Sequence, residues 1–283
     1  MLTHLAVAAT LLVGNAGPTH AEPAAELTEL INRYRAEAPP CEGRDGPPLT
    51  PLHSDAALAA VGFDPGSGPL QAALDRAGYL SARAQAIVIG GPGQAGAAMT
   101  LLRERYCRLL LDPGFTRIAS DRDARGRWRV LLAQPLLAPD LAPWPQAGRE
   151  VLTQVNAARA QARLCGQRRY PAARPLRWSA PLGQAAFGHS QDMARQDYFD
   201  HRGRDGSDVA ERSARQGYVG RRIGENIAAG QGDPSAAVAG WVASPGHCAN
   251  LMDPGYTEMG AAYAVDGASI GKIYWTQVLG TPR

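Results

Sequence analysis

An internal repeat is the feature that most constrains how this 283-residue chain can fold. The segment from Cys107 to Ala119 aligns without a gap with the segment from Cys248 to Gly260. Both contain a cysteine, a leucine, an Asp-Pro-Gly turn and a threonine at matching positions. Upstream, Ile31–Leu58 aligns with Val155–Leu182 at a constant offset. Because the two blocks keep their order and share cysteine positions, the sequence predicts a duplicated domain.

The cysteines fit this duplication. The chain has four cysteines, which in an exported protein favour disulfides and allow three pairings. Each copy of the repeat holds one cysteine after its first predicted helix and one before its Asp-Pro-Gly turn. The repeat therefore predicts the disulfides Cys41–Cys107 and Cys165–Cys248. No CxxC spacing is present, which argues against a zinc ribbon or a thioredoxin-type motif.

The first residues resemble an export signal. An apolar segment from Leu5 to Val13 precedes a small-residue cleavage site that ends at Ala21. Further along the chain, a stretch from Leu137 to Gly148 contains several prolines that follow alanine or tryptophan. This pattern predicts a linker. The predicted organisation is a signal peptide (1–21), a degenerate first domain (22–136), a Pro-rich linker (137–149) and a second domain (150–283).

Composition excludes two classes of protein. No internal apolar run reaches the ~20 residues that cross a bilayer, so the chain is not expected to be an integral membrane protein. The net charge is +3 and almost all of the cations are arginine, with no basic stripe, so a nucleic-acid partner is not expected. With its signal and cysteines, the protein is expected to be secreted to the periplasm or the outside of the cell.

Periodicity predicts helices followed by an antiparallel hairpin, which is an α+β pattern. The predicted helices run from Leu152 to near Cys165, from Leu182 to Met193, from Asp208 to Gln216 and from Pro234 to Trp241. The predicted hairpin strands are Thr257–Val265 and Ile270–Leu279, joined by an Asp-Gly turn.

Three polar residues of the second half are candidate metal ligands. His201, Glu225 and His247 each occur among glycine, proline or turn residues, which predicts positions at the ends of elements. Two imidazoles and one carboxylate suit a divalent metal such as zinc. Their spacing is long and matches no local ligand motif, so on spacing alone structural hydrogen bonding is favoured over a metal site. His189 lies on the apolar face of a helix and is expected to be a hydrogen-bonded core residue.

The second half resembles the CAP superfamily of cysteine-rich secretory, antigen and pathogenesis-related proteins, and most closely its bacterial SCP-like secreted branch. The resemblance extends over roughly residues 150–280. The motifs that carry it are Val155–Arg159, Pro175–Ser179, Tyr198–His201, Gly217–Tyr218, Gly224–Ala228, Trp241, Ser244–Leu251, Tyr256–Gly260 and Tyr274–Gln277.

The resemblance implies an α-β-α sandwich whose cleft carries two histidines and two acids. His201, Glu225 and His247 match three members of that tetrad. The fourth position is Ser244 here, and Glu258 is the nearest candidate substitute.

Alignment of the repeat places Tyr106 opposite His247 and Gln85 opposite Glu225, and it leaves His201 without a counterpart. The first half is therefore expected to be a degenerate CAP-like copy that has lost the candidate ligands.

Three functions are consistent with these features. The leading expectation is a non-catalytic secreted binding module for a small lipid, a peptide or a cell-envelope ligand. The first alternative is a metal-dependent hydrolase in which Glu225 is the candidate catalytic residue. A cation-independent hydrolase that uses Ser244 and His247 as a nucleophile–base pair is a weaker form of this alternative. The second alternative is a structural component of the cell envelope.

Overall fold

The structure is a computed structural model that describes residues 21–283. The predicted signal peptide lies outside the described residues, apart from Ala21. The described chain forms two compact units, one of residues 21–59 with 86–132 and the other of residues 60–85 with 133–283. None of the helices within residues 21–283 combines the length and apolar character needed to cross a bilayer.

The first half alternates short helices with the strands of one sheet. Its elements are α1 (Ala21–Glu37), β1 (His53–Ser54), α2 (Ala56–Ala59), α3 (Leu70–Arg76), β2 (Ser81–Ile89), α4 (Ala95–Leu110), β3 (Arg117–Arg122) and β4 (Trp128–Pro135). The strand order is β1-β3-β4-β2, and β1 runs parallel to β3.

The second half has the same order of strands within its own sheet. Its elements are α5 (Trp144–Arg159), β5 (Arg163–Cys165), β6 (Arg168–Tyr170), β7 (Arg177–Trp178), α6 (Ala180–Gln196), α7 (Val209–Arg215), β8 (Gly220–Ala229), α8 (Pro234–Ala243), α9 (Pro245–Met252), β9 (Glu258–Val265) and β10 (Ile273–Pro282). The main sheet has the order β7-β9-β10-β8, with β7 parallel to β9, and β5 pairs with β6 in a separate hairpin.

Both faces of the second sheet are buried, which makes this half an α-β-α sandwich. Along β9, Met259 and Ala261 belong to a core formed with α5, α8 and α9, whereas Ala262 and Ala264 belong to cores formed with α6. Successive side chains of a strand point to opposite faces. The alternation therefore explains why the hairpin sequence is apolar almost throughout, and the α+β prediction is confirmed.

Close packing of α6 on the sheet depends on glycine. A Cβ atom on Gly260 would lie 2.0 Å from the backbone nitrogen of Gly183, so β9 and α6 approach each other backbone to backbone. Any larger side chain at Gly260 would push the helix away from the sheet.

Both disulfides form as predicted. Cys41 pairs with Cys107 and Cys165 pairs with Cys248, and the chain has no free cysteine. Each bridge closes one unit around its own core.

Several predicted boundaries differ from the structure. Helix α5 begins at Trp144, inside the predicted linker, with Pro145 in the first turn, where proline is tolerated. The same helix ends at Arg159 rather than near Cys165, because residues 163–165 pair with Arg168–Tyr170 as a hairpin. Helix α9 and strand β8 were not predicted, and these two elements carry two of the three candidate ligands.

Candidate functional site

The candidate site lies at β8, the edge strand of the second sheet. Glu225 lies within this strand and not at an element end as predicted. Ile223 and Ile227, which share its face, contribute to the cores formed with α6. Alternation therefore directs Glu225 toward the layer that contains α6 and α7.

The carboxylate of Glu225 is buried and has partners at both oxygens. Its side chain is 3% exposed. Its Oε2 atom accepts a hydrogen bond of 2.7 Å from Nη2 of Arg212, and its Oε1 atom lies 2.8 Å from Nδ1 of His201. His189 Nε2 lies 3.8 Å from Oε1. A buried carboxylate needs this compensation, because isolation from water penalises its charge.

Arg212 is held by its own helix and the turn before it. It lies on α7, which begins with a capping box between Asp208 and Glu211. Its Nη1 atom donates to the carbonyl oxygen of Ser207 at 2.8 Å. The guanidinium is therefore fixed against Glu225, and the short capped helix determines its position.

His201 presents an exposed imidazole to the cleft. Its side chain is 57% exposed and follows α6 in a turn, as predicted. Because Nδ1 bonds Glu225, Nε2 is the nitrogen that remains for a ligand. The hydrogen bond to Glu225 raises the pKa of His201 above its usual value, against a smaller opposing effect of desolvation.

His247 reaches the same edge from α9, where it lies in the first turn. Its pKa is lowered by burial and secondarily by the charge of His201. Asn226 Nδ2 donates to the carbonyl oxygen of His247 at 3.2 Å, and Asn250 Nδ2 donates to the carbonyl oxygen of Glu225 at 3.0 Å. These amides fasten α9 to the edge strand.

The structure therefore joins His201 to Glu225 directly and places His247 within electrostatic range of His201. It does not build the predicted three-ligand metal site. Within residues 21–283, no group of three or more His, Cys, Asp or Glu is arranged to hold a metal ion. Both oxygens of Glu225 are bound instead by Arg212 and His201.

The other candidate residues lie elsewhere. Glu258, at the start of β9, forms an ion pair of 3.2 Å with Arg177, and no hydrogen bond or ion pair within residues 21–283 joins it to His201, Glu225 or His247. Ser244 caps α9 at its N-terminal end, and no hydrogen bond in the described chain joins its hydroxyl to His247.

Two residues of this site were not identified from the sequence as functional. Arg212 carries no motif signal, because its role depends on the fold bringing α7 beside β8. His189 is fully buried, as expected of a core histidine, and its Nε2 lies 3.0 Å from the carbonyl oxygen of Asp200. Burial lowers the pKa of His189, so its ring is neutral at pH 7.

A cleft of about 580 Å³ opens beside these groups. Asp200, His201, Arg202, Asp208, Val209 and Glu225 line it. All of these residues except Val209 are ionisable, and they include both signs of charge, so the cleft offers hydrogen-bonding groups to a ligand.

Comparison with known proteins gives one family match and several similar proteins. Residues 152–279 match the model of the cysteine-rich secretory protein family, CAP. The chain is 36% identical over 103 residues to "Uncharacterized membrane protein YlbC" of Bacillus subtilis, with 36% of this chain and 28% of that protein covered. It is 34% identical over 104 residues to "Uncharacterized protein YkwD" of the same organism, with 37% and 38% covered.

Among solved structures, an extracellular protein containing an SCP domain from Bacillus anthracis is similar, with a TM-score of 0.41 and 24% identity over 55% of this chain and 52% of that one. The match to the curated relatives spans about a third of their length.

Proposed function

Because residues 152–279 match the model of the cysteine-rich secretory protein family, CAP, we propose that this protein is an exported, non-catalytic binding module. Its ligand site is the cleft at the edge of β8, and the imidazoles of His201 and His247 are its recognition groups. The observation that carries the proposal is the occupied carboxylate of Glu225, which is bound at both oxygens. Glu225 is a positioning residue that orients the ring of His201.

The bonding within the site favours binding over hydrolysis. As a general base, Glu225 would have to accept a proton while it remains paired with the buried guanidinium of Arg212. All four cysteines are in disulfides, and no serine hydroxyl of residues 21–283 is hydrogen-bonded to an imidazole. An activated nucleophile needs such a partner base.

We expect that a divalent metal at this site would have the imidazoles of His201 and His247 as its only protein ligands, of which His201 lines the cleft. His201 offers Nε2, and its Nδ1–H bond to Glu225 is the carboxylate–histidine arrangement that orients metal-binding rings elsewhere. His247 supplies the second imidazole. When bound, zinc would offer open coordination positions and a polarised water to a ligand. With two protein ligands in place of four, the affinity is expected to be modest.

Export is supported by the signal-like segment of residues 1–21 and by the two disulfides, which persist in oxidising compartments. The ligand we propose is a lipid, a peptide or a cell-envelope component that bears polar groups. A purely structural role in the envelope would use the same disulfide-closed units and would leave the cleft without a ligand.

We also propose that the first half is a degenerate copy of the second. The support is the common sheet order and the matching disulfide in each unit. The copy would keep the fold without the candidate ligands.

Zinc calorimetry on the full oxidised chain tests the site. We expect one-to-one binding that is lost in His201→Ala and in His247→Ala and is retained in the matched control His53→Ala, which removes a histidine of the first half. Glu225→Gln should weaken binding about 10–100-fold, as loss of an orienting partner does. Complete loss in Glu225→Gln would instead make Glu225 a ligand.

Two outcomes would overturn the proposal. Zinc binding that survives both histidine substitutions would show that the imidazoles of His201 and His247 are not the recognition groups. Ester or peptide hydrolysis that requires zinc and is abolished by His201→Ala would show that the module is catalytic.

A further inference from the structure

A separate cavity, of about 440 Å³, lies where the first turn of α5, one face of α6 and the end of β9 meet. Helix α6 contributes Phe187, Gln191, Ala194 and Arg195 to its lining. These residues share one face of the helix, because side chains three or four positions apart are neighbours. The cavity has no lining residue in common with the cleft beside Glu225, so the proposed function makes no use of it.

The wall of this cavity contains three aromatic rings, those of Trp144, Phe187 and Tyr263. The rings of Trp144 and Phe187 are stacked, with their centroids 4.7 Å apart and an interplanar angle of 12°. The hydroxyl of Tyr263 donates to the carbonyl oxygen of Ala142 at 2.9 Å, which orients the third ring. Aromatic pairs gain stability beyond the area that they bury. The wall therefore favours a ligand with an aromatic ring.

Two alanines leave the space that such a ring needs. Ala194 of α6 and Ala264 of β9 line the cavity and are almost fully buried. The volume lies within the range for small-molecule sites, roughly 300–1,000 Å³. Since an apolar cavity of about 150 Å³ holds benzene, this cavity has room for a ligand of one or two rings.

The charge at the wall is positive. Arg195 is the one cationic residue among the lining residues, and none of them is an acid. Arg195 is exposed, and within residues 21–283 its guanidinium has no carboxylate at ion-pair distance. Guanidinium binds carboxylate through two parallel N–H···O hydrogen bonds. A ligand carboxylate would therefore supply the counter-ion that the chain does not.

Helix α5 adds a second attraction for an anion. This 16-residue helix begins at the cavity, with Pro143 as its N-cap residue and Trp144 as its first residue. No side chain caps its N-terminus by a hydrogen bond. The positive end of a helix dipole favours negative charge near the first turn. The helix end and Arg195 both select against a cationic ligand.

We propose that this cavity is a binding site for a small aromatic carboxylate, with its ring against the aromatic wall and its carboxylate at Arg195. A neutral aromatic molecule would leave the guanidinium without a counter-ion. A small inorganic anion would leave the apolar wall in contact with water, which is unfavourable. An aromatic carboxylate satisfies both parts of the lining.

The experiment is a methyl NMR titration of the full oxidised chain, labelled with ¹³C in the alanine methyl groups. Ala194 and Ala264 report on the cavity because both line it. Phenylacetate is the probe. Phenylacetamide has the same ring without the charge, and cyclohexylacetate has the same charge with a saturated ring. We expect phenylacetate to give saturable shifts of both methyl groups.

Two substitutions test the two parts of the ligand separately. In Arg195→Gln, the ratio of phenylacetate to phenylacetamide affinity should fall about tenfold, because a hydrogen-bonded charge pair is lost. Arg105→Gln is the matched control, because Arg105 is also an exposed arginine within a helix. In Phe187→Leu, the ratio of phenylacetate to cyclohexylacetate affinity should fall about threefold. Phe199→Leu, outside the cavity lining, should leave this ratio unchanged.

Three results would overturn the proposal. The first is the absence of saturable shifts at Ala194 and Ala264 with phenylacetate. The second is an unchanged ratio of phenylacetate to phenylacetamide affinity in Arg195→Gln, and the third is an unchanged ratio of phenylacetate to cyclohexylacetate affinity in Phe187→Leu. Zinc binding at the two cleft histidines should be unchanged in Arg195→Gln, so this proposal and the proposed function can fail separately.

Discussion

Each half of the chain contains a buried arginine that donates to backbone carbonyl oxygens at a helix end and in the turn that follows, an arrangement called the arginine frame below. The two frames are alike, although the sequences around them differ. In the first half, Arg35 donates to the carbonyl oxygens of Thr50, Leu110, Asp112 and Phe115 over 2.6–3.4 Å.

In the second half, Arg159 donates to those of Arg174, Leu251, Asp253 and Tyr256, also over 2.6–3.4 Å. Both arginines are almost fully buried, at 1% and 0% exposed. Each uses its donors to hold the end of one helix and the following turn.

The halves differ in the residues that occupy the edge strand and the last helix. Where the second half has Glu225 on β8, the repeat alignment places Gln85 on β2, which is also an edge strand. Where the second half has His247, the first has Tyr106, at a kink within α4. The frame therefore forms without the polar site residues. On the proposal that the first half is a degenerate copy, the difference teaches that His201, Glu225 and His247 are not requirements of the fold.

Loss of a disulfide should give the largest effect and should be nearly equal in the two halves. Cys41 and Cys107 are 66 residues apart, and Cys165 and Cys248 are 83 apart. In the loop-entropy model each bridge contributes about 4 kcal/mol. Urea unfolding of the two double Cys→Ala variants, with hydrogen exchange resolved by segment, measures each contribution. If removal of one disulfide left the stability of its own half unchanged, the two halves would not be equivalent in their dependence on the disulfide.

Truncation of the buried arginine should have the next largest effect. Arg159→Ala leaves four carbonyl oxygens without their donor, and Arg35→Ala does the same in the first half. Because buried acceptors without partners are costly, we expect each variant to lose about 3 kcal/mol of unfolding free energy. The two losses should agree within about 1 kcal/mol, the context-dependence of such bonds. A much smaller loss of unfolding free energy for Arg35→Ala than for Arg159→Ala would show that the first half depends less on its buried arginine.

Asn32 and Asn156, which precede the buried arginine of each half, form a second matched pair, for which we expect a smaller loss of stability. Asn32 both donates to and accepts from the backbone of Leu52, at 3.0 and 2.8 Å, and Asn156 does the same with Leu176 at the same distances. Asn32→Ala and Asn156→Ala should each lose about 1–2 kcal/mol. Thermal unfolding with matched Asn→Asp variants as controls checks this. Unequal losses of stability in Asn32→Ala and Asn156→Ala would show that the two halves differ at the helix that carries the asparagine.

The pH dependence of His201 should be the smallest effect and belongs to the second half alone. Its pKa is raised in the folded chain by the bond to Glu225. The stability it contributes is therefore complete below its unfolded pKa of about 6.5 and is lost as the pH rises through the higher folded pKa. Wild type should exceed His201→Ala in stability more at pH 5.5 than at pH 8.5.

An NMR titration checks the cause of this shift. Glu225→Gln should lower the pKa of His201 toward its usual value, because the amide carries no charge and is a weaker acceptor. An unchanged pKa in that variant would mean that Glu225 does not control the ring.

The sequence by itself determined the parts of this protein that depend on local pattern. The repeated cysteines and turns predicted both disulfides, and the apolar hairpin predicted β9 and β10. The motif order predicted an α-β-α sandwich over the second half. These features were readable because each depends on spacing along the chain, which the repeat shows twice.

Only the tertiary structure decided the chemistry of the site. The sequence grouped Glu225 with the histidines as a metal ligand, but α7 brings Arg212 to within 2.7 Å of its carboxylate. The sequence also gave no sign that His189 and Arg212 would both lie against that carboxylate. These results depend on elements distant in the chain meeting across an edge strand. The charge balance and hydrogen bonding of a buried carboxylate are set by whichever side chains arrive there.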